Sequence, residues 1–142
     1  MSVINDPEVI ARLLRVDEVW AVVGLSNNRT RDAYRIAQLL QQKGKRIIPV
    51  HPSAETVHGE KGYPSLTAAN EALGHIDVVD VFVNADLARE VAEEAIAIGA
   101  GAVWFQLGVI DSGAADRVIT AGLDMVMDRC PAIEWPRLSN PN

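Results

Sequence analysis

Residues 22–40 read V-V-G-L-S-N-N-R-T-R-D-A-Y-R-I-A-Q-L-L: an apolar run stops at a glycine, a mostly polar stretch follows, and a helix-period pattern then begins. Ahead of Gly24, Val19 to Val23 predict a buried strand, because a short β-rich apolar run that ends in glycine fits one. Behind it, Ala33, Ile36, Ala37, Leu39 and Leu40 share one face of a helix that begins near Arg31, and Gly44 ends that helix as a C′ glycine. Strand, glycine turn and helix together form the first half of a βαβ unit.

The same alternation continues along the chain. Arg46 to Val50 read as a second strand, Val78 to Val83 as a third, Ala102 to Leu107 as a fourth and Met125 to Met127 as a fifth. Helices are expected between them: near Thr67 to Leu73 with Ser65 as cap, from Asp86 as cap to Gly99, and over Ala114 to Ala121. A leading helix starts at Asp6 and Pro7, while the final P-R-L-S-N-P-N reads as a polar tail. Strands alternating with helices at this spacing predict an α/β, doubly wound sheet, mainly parallel, of about five strands with helices on both faces. The 142 residues are expected to form a single domain with its core over about 7–135.

Composition narrows the function classes. With 49% hydrophobic and 23% charged residues the chain is ordinary for a soluble protein, and its start lacks the basic and apolar regions of a secretion signal, so the cytoplasm is expected. The most apolar stretch, Ala95 to Ile110, is shorter than the ~20 residues of a membrane span. Cys130 is the single cysteine, and His51, His58 and His75 have no ligand spacing, so no metal site is expected. A net charge of −6 argues against a nucleic-acid binder. Within residues 24–54, however, Arg29, Arg31, Arg35, Lys43, Lys45 and Arg46 face Asp32 alone, which reads either as a solvated helix face or as an anion site.

In a doubly wound sheet, ligands bind beyond the carboxyl ends of the strands, which here carry 24–30, 50–53, 83–86, 106–108 and 128–130. The first loop has one glycine where a dinucleotide fingerprint needs three, and the second strand runs into P-V-H-P-S where an NAD site places an acid. Both observations weaken NAD. A helix N-terminus still offers N–H groups and a dipole to a phosphate, and His51, Ser53 and the neighbouring cations suit a sugar with an extra phosphate, as in coenzyme A or NADP.

Six ordered stretches then converge: V-V-G-L-S-N at 22–27, I-I-P-V-H-P at 47–52, V-H-G-E-K-G-Y-P-S-L at 57–66, I-D-V-V-D-V-F-V at 76–83, V-W-F-Q-L-G-V at 103–109 and V-M-D-R-C-P at 126–131. Together they resemble the small, single-domain CoA-binding proteins, which are similar to the N-terminal domain of the succinyl-CoA ligase α subunit. The resemblance implies a Rossmann-like CoA or acyl-CoA site. Carried over by position, it involves Gly24, Ser26 and Asn27, then Val50, His51 and Pro52, then Val83 and Asn84, with Gln106 toward the pantetheine end. Arg29, Arg31 and Ser53 are added as candidate phosphate contacts, and Cys130 because its strand end shares the edge. The family usually has Asn where His51 stands, and basic residues where this chain has Asn84 and Ala85.

The ligase chemistry uses a phosphorylated histidine on a later domain, and no triad, metal cluster or carboxylate pair replaces it here. Binding of a small-molecule CoA ligand without catalysis is the first expectation. The alternative is an enzyme or enzyme subunit that uses bound CoA, with Cys130 or a partner chain supplying the chemistry, and assembly as a homo-oligomer or with a partner protein stays open. Asp77 and Asp80 are expected at a strand start, away from the site.

Overall fold

The computed structural model describes residues 3–138. Its elements run α1 (Pro7–Arg15), β1 (Val19–Val23), α2 (Asp32–Gln42), β2 (Arg46–Val50), α3 (Leu66–Leu73), β3 (Val78–Val81), α4 (Ala85–Ala97), β4 (Ala102–Phe105), α5 (Ser112–Thr120), β5 (Asp124–Val126) and α6 (Pro131–Arg137). The strands pair in the order β2-β1-β3-β4-β5, and each pairing is parallel. The expected doubly wound α/β sheet is therefore present. The chain leaves β1 toward β2 on one side and returns through β3 on the other, so the order reverses between β1 and β3, the place where such sheets open a crevice.

Two apolar layers sandwich the sheet. Ala21, Val23, Val79, Val81 and Phe105 meet α3, α4 and α5 on one face, whereas Trp20, Val22, Val78 and Trp104 meet α1, α2 and α6 on the other. Strands buried on both faces explain why the runs are continuously apolar rather than alternating.

Local chemistry sets the helix starts. The side chains of Asp6, Ser65, Asn84 and Asp111 accept hydrogen bonds from the first-turn N–H groups of α1, α3, α4 and α5. Asn84 takes the role expected of Asp86, which lies inside the first turn of α4. β3 ends at Val81 and β4 at Phe105, each two residues earlier than expected. The expected polar tail is also corrected. Pro136 and Arg137 belong to α6, which starts on Pro131 at its first position, where proline's missing N–H costs nothing. Ser139 to Asn142, the rest of that expected tail, lie outside the described residues.

Both edges of the sheet are covered. At the β5 edge, Asn5 donates from N to Met125 O (3.0 Å) and from Nδ2 to Met127 O (3.0 Å), while its Oδ1 accepts from Met127 N (2.7 Å). At the β2 edge, Tyr63 donates to Pro49 O (2.9 Å) and accepts from His51 N (3.0 Å). No described helix is long and apolar enough to cross a membrane.

Candidate functional site

A cleft of about 1100 Å³ opens along the carboxyl edge of the sheet, over the point where strand order reverses. Its geometry begins at Gly24. With φ at +101° and its N–H on Val50 O (2.8 Å), this residue turns the chain sharply off β1; a Cβ there would meet Phe82 Cβ and Val83 Cγ1 at 3.4 Å, ordinary contact, so the positive φ is what favours glycine. Leu25, fully buried, anchors the loop beneath the cleft. Beyond it the chain climbs to α2, whose N-cap, Arg31, makes no side-chain cap bond. Among the described helices only α2 and α6 lack such a cap, and the starts of both line the cleft. Uncapped N–H groups at a helix start attract an anion.

The cleft brings together Gly24, Ser26 and Arg31 from the first loop, Val50, His51 and Pro52 from the end of β2, and Val83 and Asn84 from the end of β3. Gln106 and Cys130 complete it from the β4 and β5 ends. Cys130 is 8% exposed and caps α6 with its backbone. Asn84, although it lines the cleft, spends its side-chain oxygen on Leu87 N (3.3 Å).

Asn27, Arg29 and Ser53 lie outside the lining, and Glu55 engages two of them. Glu55 accepts from Asn27 Nδ2 (3.0 Å) and from Ser53 Oγ (2.7 Å), tying the first loop to the second. Those bonds, the one from Ser53 foremost, hold the Glu55 carboxyl below its ordinary value. Ser53 in turn donates its backbone N–H to His51 Nδ1 (3.1 Å). Arg29 sits over the Tyr34 ring, 5.9 Å from its centre.

The basic island also divides. Arg31 and Arg35 line the cleft, Arg35 loosely paired with Asp32 (3.4 Å). Lys45 is buried at the opposite edge, donating to Leu13 O (3.3 Å) and Asp17 O (2.7 Å), and burial pushes its pKa down. Lys43 lies 5.2 Å over the Trp135 ring, and Arg46 opens β2 at that same far edge. Asp32, Glu90 and Glu94 also line the cleft, so its charge is mixed rather than basic.

Asp80 is the largest correction. Rather than lying at a strand start away from the site, it stands inside β3, fully buried, in register with Val22 and Trp104, and Gln106 donates to it from the cleft floor. Burial drives its pKa up to about 8, against the opposing pull of the Gln106 bond. Asp77 does lie at the strand start, accepting from Glu18 N (3.1 Å) and Val19 N (2.8 Å). Among the described residues no group of three His, Cys, Asp or Glu side chains is arranged to hold a metal ion.

The family description that matches residues 18–136 is CoA binding domain. The chain belongs to the CoA binding domain family. A Bacillus subtilis (strain 168) protein, YneT, is 33% identical over 123 residues, spanning 87% of this chain and 86% of its own. Among solved structures, a hypothetical protein from Pyrococcus horikoshii OT3 superposes with a TM-score of 0.85 at 37% identity, covering 94% of this chain and 92% of that one. A dinucleotide-forming acetyl-coenzyme A synthetase from Ca. Korarchaeum cryptofilum in its apo form shares the fold over 80% of this chain and 26% of its own, with a TM-score of 0.66 and 20% identity. This CoA binding domain is thus a small chain whose fold recurs inside a larger enzyme.

Proposed function

We propose that the protein binds coenzyme A or an acyl-CoA in the carboxyl-edge cleft and performs no catalysis of its own. The observation that carries this reading is the uncapped start of α2 beside Gly24, at the reversal of strand order, in a chain of the CoA binding domain family. Gly24 removes a Cβ from the approach and α2 offers N–H groups, so the two fit a pyrophosphate. Arg31 has no carboxylate partner among the described residues and suits the 3′-phosphate. Val50, His51 and Pro52 would flank the adenosine, and Gln106 with the exposed apolar Leu107 and Ile133 would follow the pantetheine arm.

Calorimetry tests the reading directly. CoA is expected to bind and NAD is not, because the fingerprint glycines and the ribose acid are missing. Dephospho-CoA is expected to bind more weakly by about 1.5–3 kcal/mol, the value of a charge-assisted hydrogen bond, and Arg31→Ala should erase that gap. NAD binding more tightly than CoA would overturn the assignment.

One observation favours a second reading, in which bound CoA is used chemically: Cys130 lines the same cleft. If its sulfur meets the thiol end of the ligand, CoA disulfide should react with it. The Cys130 sulfur would attack one sulfur of the disulfide, form a protein–CoA disulfide and release one CoA thiol. Intact-mass analysis should then show an adduct on the wild type that Cys130→Ser lacks. Absence of the adduct removes this reading, while the binding reading expects Cys130→Ser to keep CoA affinity within about 1 kcal/mol.

A further inference from the structure

Asp80 has no place in the binding reading so far, yet no other described side chain is so poorly satisfied. Its Oδ1 accepts from Gln106 Nε2, whereas its Oδ2 is the one buried side-chain oxygen or nitrogen without a partner among the described residues. Leaving such an atom unpaired in a core costs about 1–3 kcal/mol. An apolar residue of similar size would cost less, as its neighbours Val22 and Trp104 illustrate.

The partner supplies the reason. Gln106 is 5% exposed and lines the cleft, with its amide nitrogen turned inward to Asp80. Its carbonyl Oε1 accepts no described hydrogen bond and is not among the sealed, unpartnered atoms, so it opens to the cleft. A glutamine on an apolar floor can present either end of its amide, because the two ends are nearly the same shape. In the structure the carboxyl takes the amide nitrogen; once ionised it can only accept, so the carboxylate selects the nitrogen-inward orientation, whereas the protonated form, with an O–H to donate, holds it less firmly.

We propose that Asp80 is a positioning residue that fixes the Gln106 amide with its oxygen toward the cleft, making the β4 end of the cleft a subsite for a hydrogen-bond donor of the pantetheine arm, an amide N–H or a hydroxyl. This rests on the CoA reading and deepens it. Parallel strands lie about 4.8 Å apart, so Gln106, at the end of β4, stands about 10 Å across the sheet from Gly24 and about 14 Å from His51. A nucleotide held at β1 and β2 needs an extended arm to reach it. The subsite thus separates CoA from its adenosine bisphosphate fragment.

No charged group presses on Asp80 from the elements around it. β1 and β4 set Val22 and Trp104 beside it, α1 and α2 bury only apolar side chains on this face, and α6 brings Glu134, paired with Arg137, and the Cys130 thiol. Lys45, on the same side of the sheet, is held by the Leu13 and Asp17 carbonyl oxygens. The pH response of the Gln106 amide signal would therefore report Asp80.

Heteronuclear NMR of the ligand-free protein reads the pair itself. The Gln106 side-chain amide signal should move with pH in one step near pH 8, the value to which burial pushes Asp80, and the step should vanish in Asp80→Asn. Calorimetry then reads the subsite. Asp80→Asn, which keeps an acceptor oxygen, should bind CoA within about 3-fold of wild type, and Asp80→Leu and Gln106→Leu should each lose about 10-fold. Neither should change the affinity for adenosine 3′,5′-bisphosphate, and the double variant should lose no more than either single one. A folded Asp80→Leu that binds CoA like wild type, or a Gln106 amide blind to both pH and Asp80→Asn, overturns the proposal. Should Asp80→Leu fail to fold, the NMR step and Gln106→Leu decide alone. If the wild type does not bind CoA, the CoA reading and the pantetheine subsite fall, while the NMR step still decides whether Asp80 orients Gln106.

Discussion

Asp80 has a folded pKa of about 8 against an ordinary 3.8, so between those values the folded state holds a proton that the unfolded chain has lost. Stability should therefore fall as pH rises through this window, by at most about 1.4 kcal/mol per unit, and level off once the folded carboxyl also ionises. Denaturant melts at pH 5, 6.5 and 8 should show the decline in wild type and a flatter profile in Asp80→Asn. The sequence concealed this role for a physical reason: an acid among the first residues of an apolar strand reads as a solvated group at the strand start, away from the site. Only the three-dimensional pairing with Gln106 makes it a member of the floor.

At the scale of elements, the link from β1 into α2 decides both fold and cleft. Gly24→Val would force a β-branched residue to φ near +101° against Phe82 and Val83, a strain of about 1–3 kcal/mol. Thermal melts should show a lower midpoint, and the surviving fold should bind CoA more weakly. Strand and helix order were legible because buried parallel strands and amphipathic helices leave different periods in the chain. What stayed hidden depends on partners distant in sequence. Pro131 and Pro136 look like breakers until Trp135 is seen over Lys43 and Lys45, and Asn27 and Ser53 look like ligand contacts until Glu55 takes them. Charge clustering misled in the same way, since residues close in the chain were sent to opposite edges of the sheet.

The whole molecule divides its labour between those two edges. The amino edge is closed by contacts such as Asp77 with the backbone of Val19 and Arg12 with Asp124. The carboxyl edge leaves two helix starts uncapped and a cleft open. The flanks of the sheet matter as much. Unpaired strand margins are templates for further chains, and proteins blunt them with proline, short strands or a covering segment. Here Pro49 and Tyr63 close one flank and, among the described residues, Asn5 closes the other. Association by continuous β-pairing is accordingly blocked in the native state, and Asn5 is the weak latch. Asn5→Ala releases the Met127 N–H and carbonyl, so light scattering at moderate heating should show earlier aggregation than wild type, with little change in CoA affinity. A tag or fusion that pulls residues 3–5 away from β5 would do the same, turning a quiet margin into a nucleus for fibrous growth.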